Sequence, residues 1–243
     1  MIFLWIITAV LLISLIVKRA DIVARVAHFH YAQGNVQKAI DTFAFASKIG
    51  NMNAVYRVAH AYLNLRLGNI DEASKILTLV TMDAKKPEDK NRAKAMLALV
   101  AWKRGDIDDA IEILENLIVD YRNSNVYQNL GLMYVLKGDA SRAVEFNLEA
   151  YEYNDSDKII VDNLAEAYVL NGELEKAREM YEKLFTMSPH FPEAFHGYGK
   201  LLIQLGERER GLELIRESLD KTFSFLSVLT REEVERELAR IEA

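Results

Sequence analysis

Large and small apolar positions recur along this chain at helical spacing, and glycine interrupts them at nearly constant intervals. Residues Tyr127, Leu130, Gly131 and Tyr134 stand at i, i+3, i+4 and i+7, the stripe of an amphipathic helix. Glycines occur at 34, 68, 105, 138, 172 and 206, separated by 34, 37, 33, 34 and 34 residues, and each precedes Asn, Asp or Glu. Seven residues before each glycine stands a small residue: Ala27, Ala61, Ala98, Gly131, Ala165 or Gly199. Five residues after it stands another: Ala39, Ala73, Ala110, Ala143, Ala177 or Gly211. A fixed period near 34 predicts stacked supersecondary units. Each unit reads as helix A, a glycine that ends it in the left-handed conformation, and helix B opened by the acidic or amide residue. The small residues predict a close crossing of A on B, because a larger side chain would hold the axes apart.

Two stretches depart from this rhythm. The 37-residue interval contains "MDAKKPEDKNRAK", with 8 charged residues in 13, and reads as a longer solvated loop. After the sixth unit, "DKTFSFLSVL" leads into "TREEVERELARIEA". There Thr230 and Glu233 form a capping box that opens a final helix over the end of the stack. Phe223, Phe225, Leu226 and Val228 are expected to pack beneath it.

The pattern changes at the N-terminus. "MIFLWIITAVLLISLIV" has no charged side chain and is followed by Lys18 and Arg19. Seventeen helical residues cover about 25 Å, short of a hydrocarbon core of about 30 Å but within reach of snorkelling cations. Nothing basic precedes the run and Lys18 stands where a cleavage site would need a small residue, so an anchor is expected rather than a signal peptide. Residues 2–17 are thus expected in a membrane. The positive flank predicts a single-pass protein of the cell membrane with its bulk cytoplasmic. Neither Gly nor Pro occurs from 1 to 33, so one helix of about 45–50 Å should continue into the first unit.

Composition narrows the function. There is no cysteine, which excludes disulfides, thiolate metal sites and a cysteine nucleophile. Beyond Arg19 the chain holds 28 basic and 36 acidic residues, the wrong balance for nucleic acid. The five histidines, His28, His30, His60, His190 and His196, include no i, i+4 pair. No phosphate loop or nucleophile elbow occurs. Carboxylate pairs such as Asp108–Asp109 fall at helix starts, where the helix dipole accounts for them. No enzyme, metal, cofactor or small-molecule substrate is expected.

The units resemble the tetratricopeptide repeat family, of a membrane-anchored bacterial type. Its pattern is W-x2-L-G-x2-Y, A-x3-F and P. The fourth unit carries Tyr127, Leu130, Gly131, Tyr134, Ala143 and Ala150. The fifth carries Leu164, Ala165, Tyr168, Ala177, Tyr181 and Pro189, and the second is loosest, with Arg57 and His60 at apolar positions. The resemblance implies an all-α, right-handed α-solenoid of about six helix-turn-helix units. Residues 1–19 would be the transmembrane anchor helix, 20–219 the six repeats, and 220–243 a linker and C-terminal capping helix.

It also implies a concave face of A helices that binds a protein or peptide ligand. Counting 13, 10, 9, 6, 3 and 2 residues before the glycine places Tyr62, Leu65 and Arg66 there in the second unit. The third adds Arg92, Met96, Leu99, Trp102 and Lys103, the fourth Gln128, Asn129 and Leu132, and the fifth Asp162, Asn163 and Glu166. Asn129 and Asn163 share one position, fitting either a peptide backbone or simple helix packing. The function expected is a membrane-anchored adaptor or scaffold. The alternatives are a self-assembling membrane scaffold and an envelope-facing assembly factor of reversed topology.

Overall fold

The computed structural model describes the backbone of residues 2–242, with the side chains of residue 5 and residues 16–242. Among the described residues there are thirteen α-helices and no strand. They form two compact units, residues 1–96 and 97–243. The fold is an all-α helical solenoid of paired helices.

The first unit holds α1 (Ile2–Ala32), α2 (Val36–Ile49), α3 (Ala54–Arg66), α4 (Ile70–Asp83) and the start of α5 (Pro87–Lys103). Helix α1 runs unbroken, as the absence of Gly and Pro predicts. The membrane assignment does not stand. Among the described residues no helix is long and apolar enough to cross a membrane, which overturns the expected single-pass cell-membrane localisation with a cytoplasmic bulk. Much of the anchor expected at 1–19 and of the membrane contact expected at 2–17 falls on side chains 1–4 and 6–15, outside those described. What α1 does supply is a seam of Ala20, Ala24 and Ala27, all fully buried, which packs on Ala39, Phe43 and Ala46 of α2. A single turn of small residues every three to four positions lets the two backbones approach.

The second unit continues with α6 (Ile107–Ile118), α7 (Ser124–Lys137), α8 (Ala140–Tyr153), α9 (Lys158–Leu170), α10 (Leu174–Thr186), α11 (Pro192–Gln204), α12 (Arg208–Ser218) and α13 (Arg231–Glu242). Each helix packs on the next from α6 to α13, and α9 also touches α7 and α11, so the A helices lie side by side.

The turns confirm the repeat grammar. All six glycines have φ between +77° and +92°. In five of them the following N–H reaches back five positions, as from Glu173 to the Tyr168 carbonyl at 2.9 Å, closing the helix in a Schellman turn. The small residues do meet at the crossing. A Cβ built on Gly199 would lie 2.7 Å from the Gly211 carbonyl oxygen, so both positions exclude a side chain. The acidic or amide residue after the glycine caps helix B by its side chain only at Asp106 and Asp139, which accept from the N–H of Asp109 and Arg142. At Asn35, Asn69, Glu173 and Glu207 it makes no such bond.

The charged stretch 82–94 is not the long loop expected. Pro87 opens α5, Glu88 and Asp89 follow in its first turn, and the helix is 17 residues long. Proline at the first helical position has no N–H to satisfy, and the acids suit the dipole. The additional residues therefore lengthen a helix.

The core is aromatic and aliphatic. In the second unit Tyr181 and Tyr198 stack at 5.2 Å, with Leu164, Leu184, Phe195 and Leu202 around them. Fully burying such a side chain stabilises by about 2–3 kcal/mol. Helix α13 covers α12 through Val234 and Leu238 on Leu212 and Ile215, and the Thr230–Glu233 box forms in both directions, at 2.7 and 3.2 Å.

Candidate docking site

Helices α7, α9 and α11 present residues of the same phase to one pocket of about 290 Å³. From α7 come Leu132, Val135 and Leu136. Helix α9 adds Asp162, Asn163, Glu166 and Val169, and α11 adds Glu193, His196, Gly197 and Lys200. The remaining wall, Val228 and Leu229, comes from the segment between α12 and α13. That segment does not stay beneath α13. Phe223 and Leu229 pack with the α12–α13 core, but Phe225 and Val228 are 39% and 41% exposed. The expectation that all four apolar residues lie under the final helix is corrected accordingly.

The segment is tied down by polar contacts to the A helices. Lys103 Nζ donates to the Ser227 carbonyl at 2.8 Å and lies 3.8 Å from the Trp102 ring and 5.3 Å from the Phe225 ring. Burial lowers the Lys103 ammonium from its usual range, opposed by Glu193 and Glu233. The Val228 N–H donates to Glu193 Oε1 at 3.0 Å. On the other side His196 Nε2 lies 2.7 Å, and Lys200 Nζ 3.9 Å, from the Glu237 carboxylate of α13.

Three carboxylates, Asp162, Glu166 and Glu193, line the pocket. Asp162 is 7% exposed and its Oδ1 has no hydrogen-bond partner. Burial pushes its carboxyl well above the ordinary range, and the charges of Glu166 and Glu193 push the same way. Glu166 Oε1 accepts from the Tyr181 hydroxyl, whose own titration is driven far up, first by burial and then by Glu166 and Asp162. Gly197 makes room for this bond, because a Cβ there would overlap both Glu166 Oε1 and the Tyr181 oxygen.

The residues expected on the groove divide into several settings. Leu132, Asp162, Asn163, Glu166 and, beside the segment, Trp102 and Lys103 come together. Asn163 is 3% exposed and donates to the Gln128 carbonyl at 2.8 Å, so its amide joins neighbouring A helices. Asn129, one unit earlier, has a buried Nδ2 with no partner. Gln128 bonds Asp157 at 2.6 Å, and Leu99 is 7% exposed, within the core. In the first unit Arg66 donates to the Tyr31 hydroxyl at 2.8 Å, and burial raises the neighbouring Tyr62 hydroxyl. Arg92 is held by Glu88 at 2.7 Å on its own helix, and Met96 is half-buried.

Sequence reasoning stopped one unit short. The same count before Gly206 gives Glu193, His196, Gly197 and Lys200, all of which line the pocket. No periodic signal marks Val228 and Leu229, because they belong to no repeat.

Comparison with known proteins agrees with this architecture. Residues 95–158 and 161–191 match models of the tetratricopeptide repeat family. The TPR repeat-containing protein YvcD of Bacillus subtilis is 28% identical over 134 residues, 55% of this chain and 26% of that protein. The TPR repeat-containing protein MJ1428 of Methanocaldococcus jannaschii is 24% identical over 165 residues, 67% of this chain and 28% of that one. The chain thus spans about a quarter of the length of these relatives. The crystal structure of a tetratricopeptide repeat protein from Parabacteroides merdae superposes with a TM-score of 0.73 at 16% identity, covering 93% of this chain and 85% of that one. Proteins built from these repeats generally mediate protein–protein interaction.

Proposed function

We propose that the chain is a non-catalytic adaptor that docks a protein or peptide segment on the A-helix face of α7, α9 and α11. The observation that carries this reading is a pair of unsatisfied polar atoms on that face. Asn129 Nδ2 and Asp162 Oδ1 are both buried without a partner, on successive A helices. A buried polar atom left unpaired costs about 1–3 kcal/mol, which an incoming peptide amide or cation can recover. Leu132, Val135 and Val169 beside them supply apolar area for affinity, while the charged rim sets specificity. Neither the pocket nor its surroundings pairs a nucleophile with a base, so binding alone is asked of it.

Selection of random twelve-residue peptides on the full chain tests the reading. Enriched peptides should crosslink to a photoreactive group at Leu132. Asn129→Ala with Leu132→Glu should weaken them at least tenfold, and Glu145→Ala, at an exposed position of α8, should not. Peptides indifferent to the Asn129 and Leu132 changes would show that docking occurs elsewhere.

A further inference from the structure

We infer that the pocket between α7, α9 and α11 receives one basic side chain, an arginine or lysine, of the docked segment. The inference rests on the docking reading above and specifies its chemistry. Three features of the pocket converge on it.

The first is charge. Asp162, Glu166 and Glu193 face one cavity, and the nearby basic side chains are already engaged. Lys200 lies 3.9 Å and the His196 ring 2.7 Å from the Glu237 carboxylate, and Lys103 holds the Ser227 carbonyl. The influences on Asp162 are burial and two like charges, with no cation among them. An acidic lining of this kind is complementary to an added positive charge.

The second is the unpaired atom. Asp162 is more than nine-tenths buried, lines the cavity, and leaves Oδ1 without a donor. Glu166 spends Oε1 on Tyr181 and Glu193 spends Oε1 on the Val228 N–H. A guanidinium offers several N–H donors in a fixed fork and an ammonium offers three, so either can satisfy Asp162 and still reach a second carboxylate.

The third is shape. Part of the lining is aliphatic, formed by Leu132, Leu136, Val169 and the segment residues Val228 and Leu229. A volume of about 290 Å³ lies at the lower limit of small-molecule sites, about 300 Å³, and suits one long side chain. Lysine and arginine bury their methylene stems against apolar walls while the charged head finds polar partners. Among the described residues no group of three or more His, Asp or Glu side chains is placed to hold a metal ion.

The experiment titrates the full chain with N-acetyl-arginine methylamide, N-acetyl-lysine methylamide and the neutral N-acetyl-norleucine methylamide, followed by backbone amide NMR. The cationic probes should shift signals of residues 162–169 and 193–200 and bind at least tenfold more tightly than the norleucine probe. Asp162→Asn, whose neutral amide keeps the carboxyl's shape, should remove that preference, and Glu166→Gln should reduce it. An unchanged fold is read from the Tyr181 and Tyr198 signals. Equal binding of all three probes, shifts outside the pocket, no shifts, or native preference in both variants would each overturn the inference. The docking reading is judged separately by the selected peptides. Peptides that need Asn129 and Leu132 but no arginine or lysine would refute the basic-side-chain pocket and leave the docking face standing.

Discussion

Lys103 and Ser227 are 124 residues apart in sequence, and the Lys103 ammonium donates to the Ser227 carbonyl at 2.8 Å. The bond fastens the segment between α12 and α13 to α5, over the face that carries the pocket. With the Val228 N–H on Glu193, it makes the segment between α12 and α13 one wall of the pocket. Loss of a hydrogen bond to a charged group is worth about 1.5 kcal/mol, roughly tenfold in a local opening equilibrium. Lys103→Met should therefore raise hydrogen exchange at Ser227 and Val228 about tenfold. Exchange within α13, held by Val234 and Leu238, should not change.

Gly197 should tolerate no side chain, because its neighbours are polar atoms in a fixed bond. Gly197→Ala drives a methyl group between Glu166 and Tyr181 and should destabilise by about 1–3 kcal/mol in urea unfolding. Adding Tyr181→Phe removes one of the two atoms struck and should restore part of the loss. If Gly197→Ala costs nothing, the Tyr181–Glu166 contact does not hold in solution.

Asp162 sets one arm of the pH dependence. Its folded carboxyl titrates above its unfolded value, so the native state holds the proton more tightly. Stability is then full below the ordinary aspartate range and falls as pH rises through the raised value. Asp162→Asn abolishes this slope. Thermal denaturation should show the variant a few degrees more stable than the native chain at pH 8, given about 2–4 °C per kcal/mol for a chain of this size, and equal to it near pH 3.

His60 has the opposite sign. It is 5% exposed, stacks on Phe43 at 5.5 Å, and burial lowers its imidazole titration despite Glu72 nearby. The native state holds it neutral, so its contribution is present above about pH 6.5 and is lost as pH falls below that through the lowered value. His60→Phe keeps a ring against Phe43 and removes the charge. Its melting temperature should fall less than the native chain's between pH 8 and pH 5, and equal falls would contradict the assignment.

Much of the pocket lining is legible from counting. The A-helix phase picks out Leu132, Asp162, Asn163 and Glu166, which line the pocket, and one unit further it gives Glu193, His196, Gly197 and Lys200, which line it too. It could not tell which members are available. Asn129 and Asn163 occupy one position in successive units, yet Asn163 bonds the Gln128 carbonyl and Asn129 Nδ2 bonds nothing. Leu99 belongs to the same phase and is buried. Phase gives direction, and accessibility depends on what packs beside the helix.

The sequence by itself determined the helix pairs, their period and their turns. These rest on local rules: a glycine that must take positive φ, small residues where two backbones touch, a capping box read within four residues. It misplaced the chain in a membrane, because apolar content alone does not establish a span. Only the tertiary structure decided that Val228 and Leu229 wall the pocket and that Asp162 has no donor for Oδ1. Those facts depend on contacts between positions far apart in the chain, such as 103 with 227 and 193 with 228, and no periodicity encodes them.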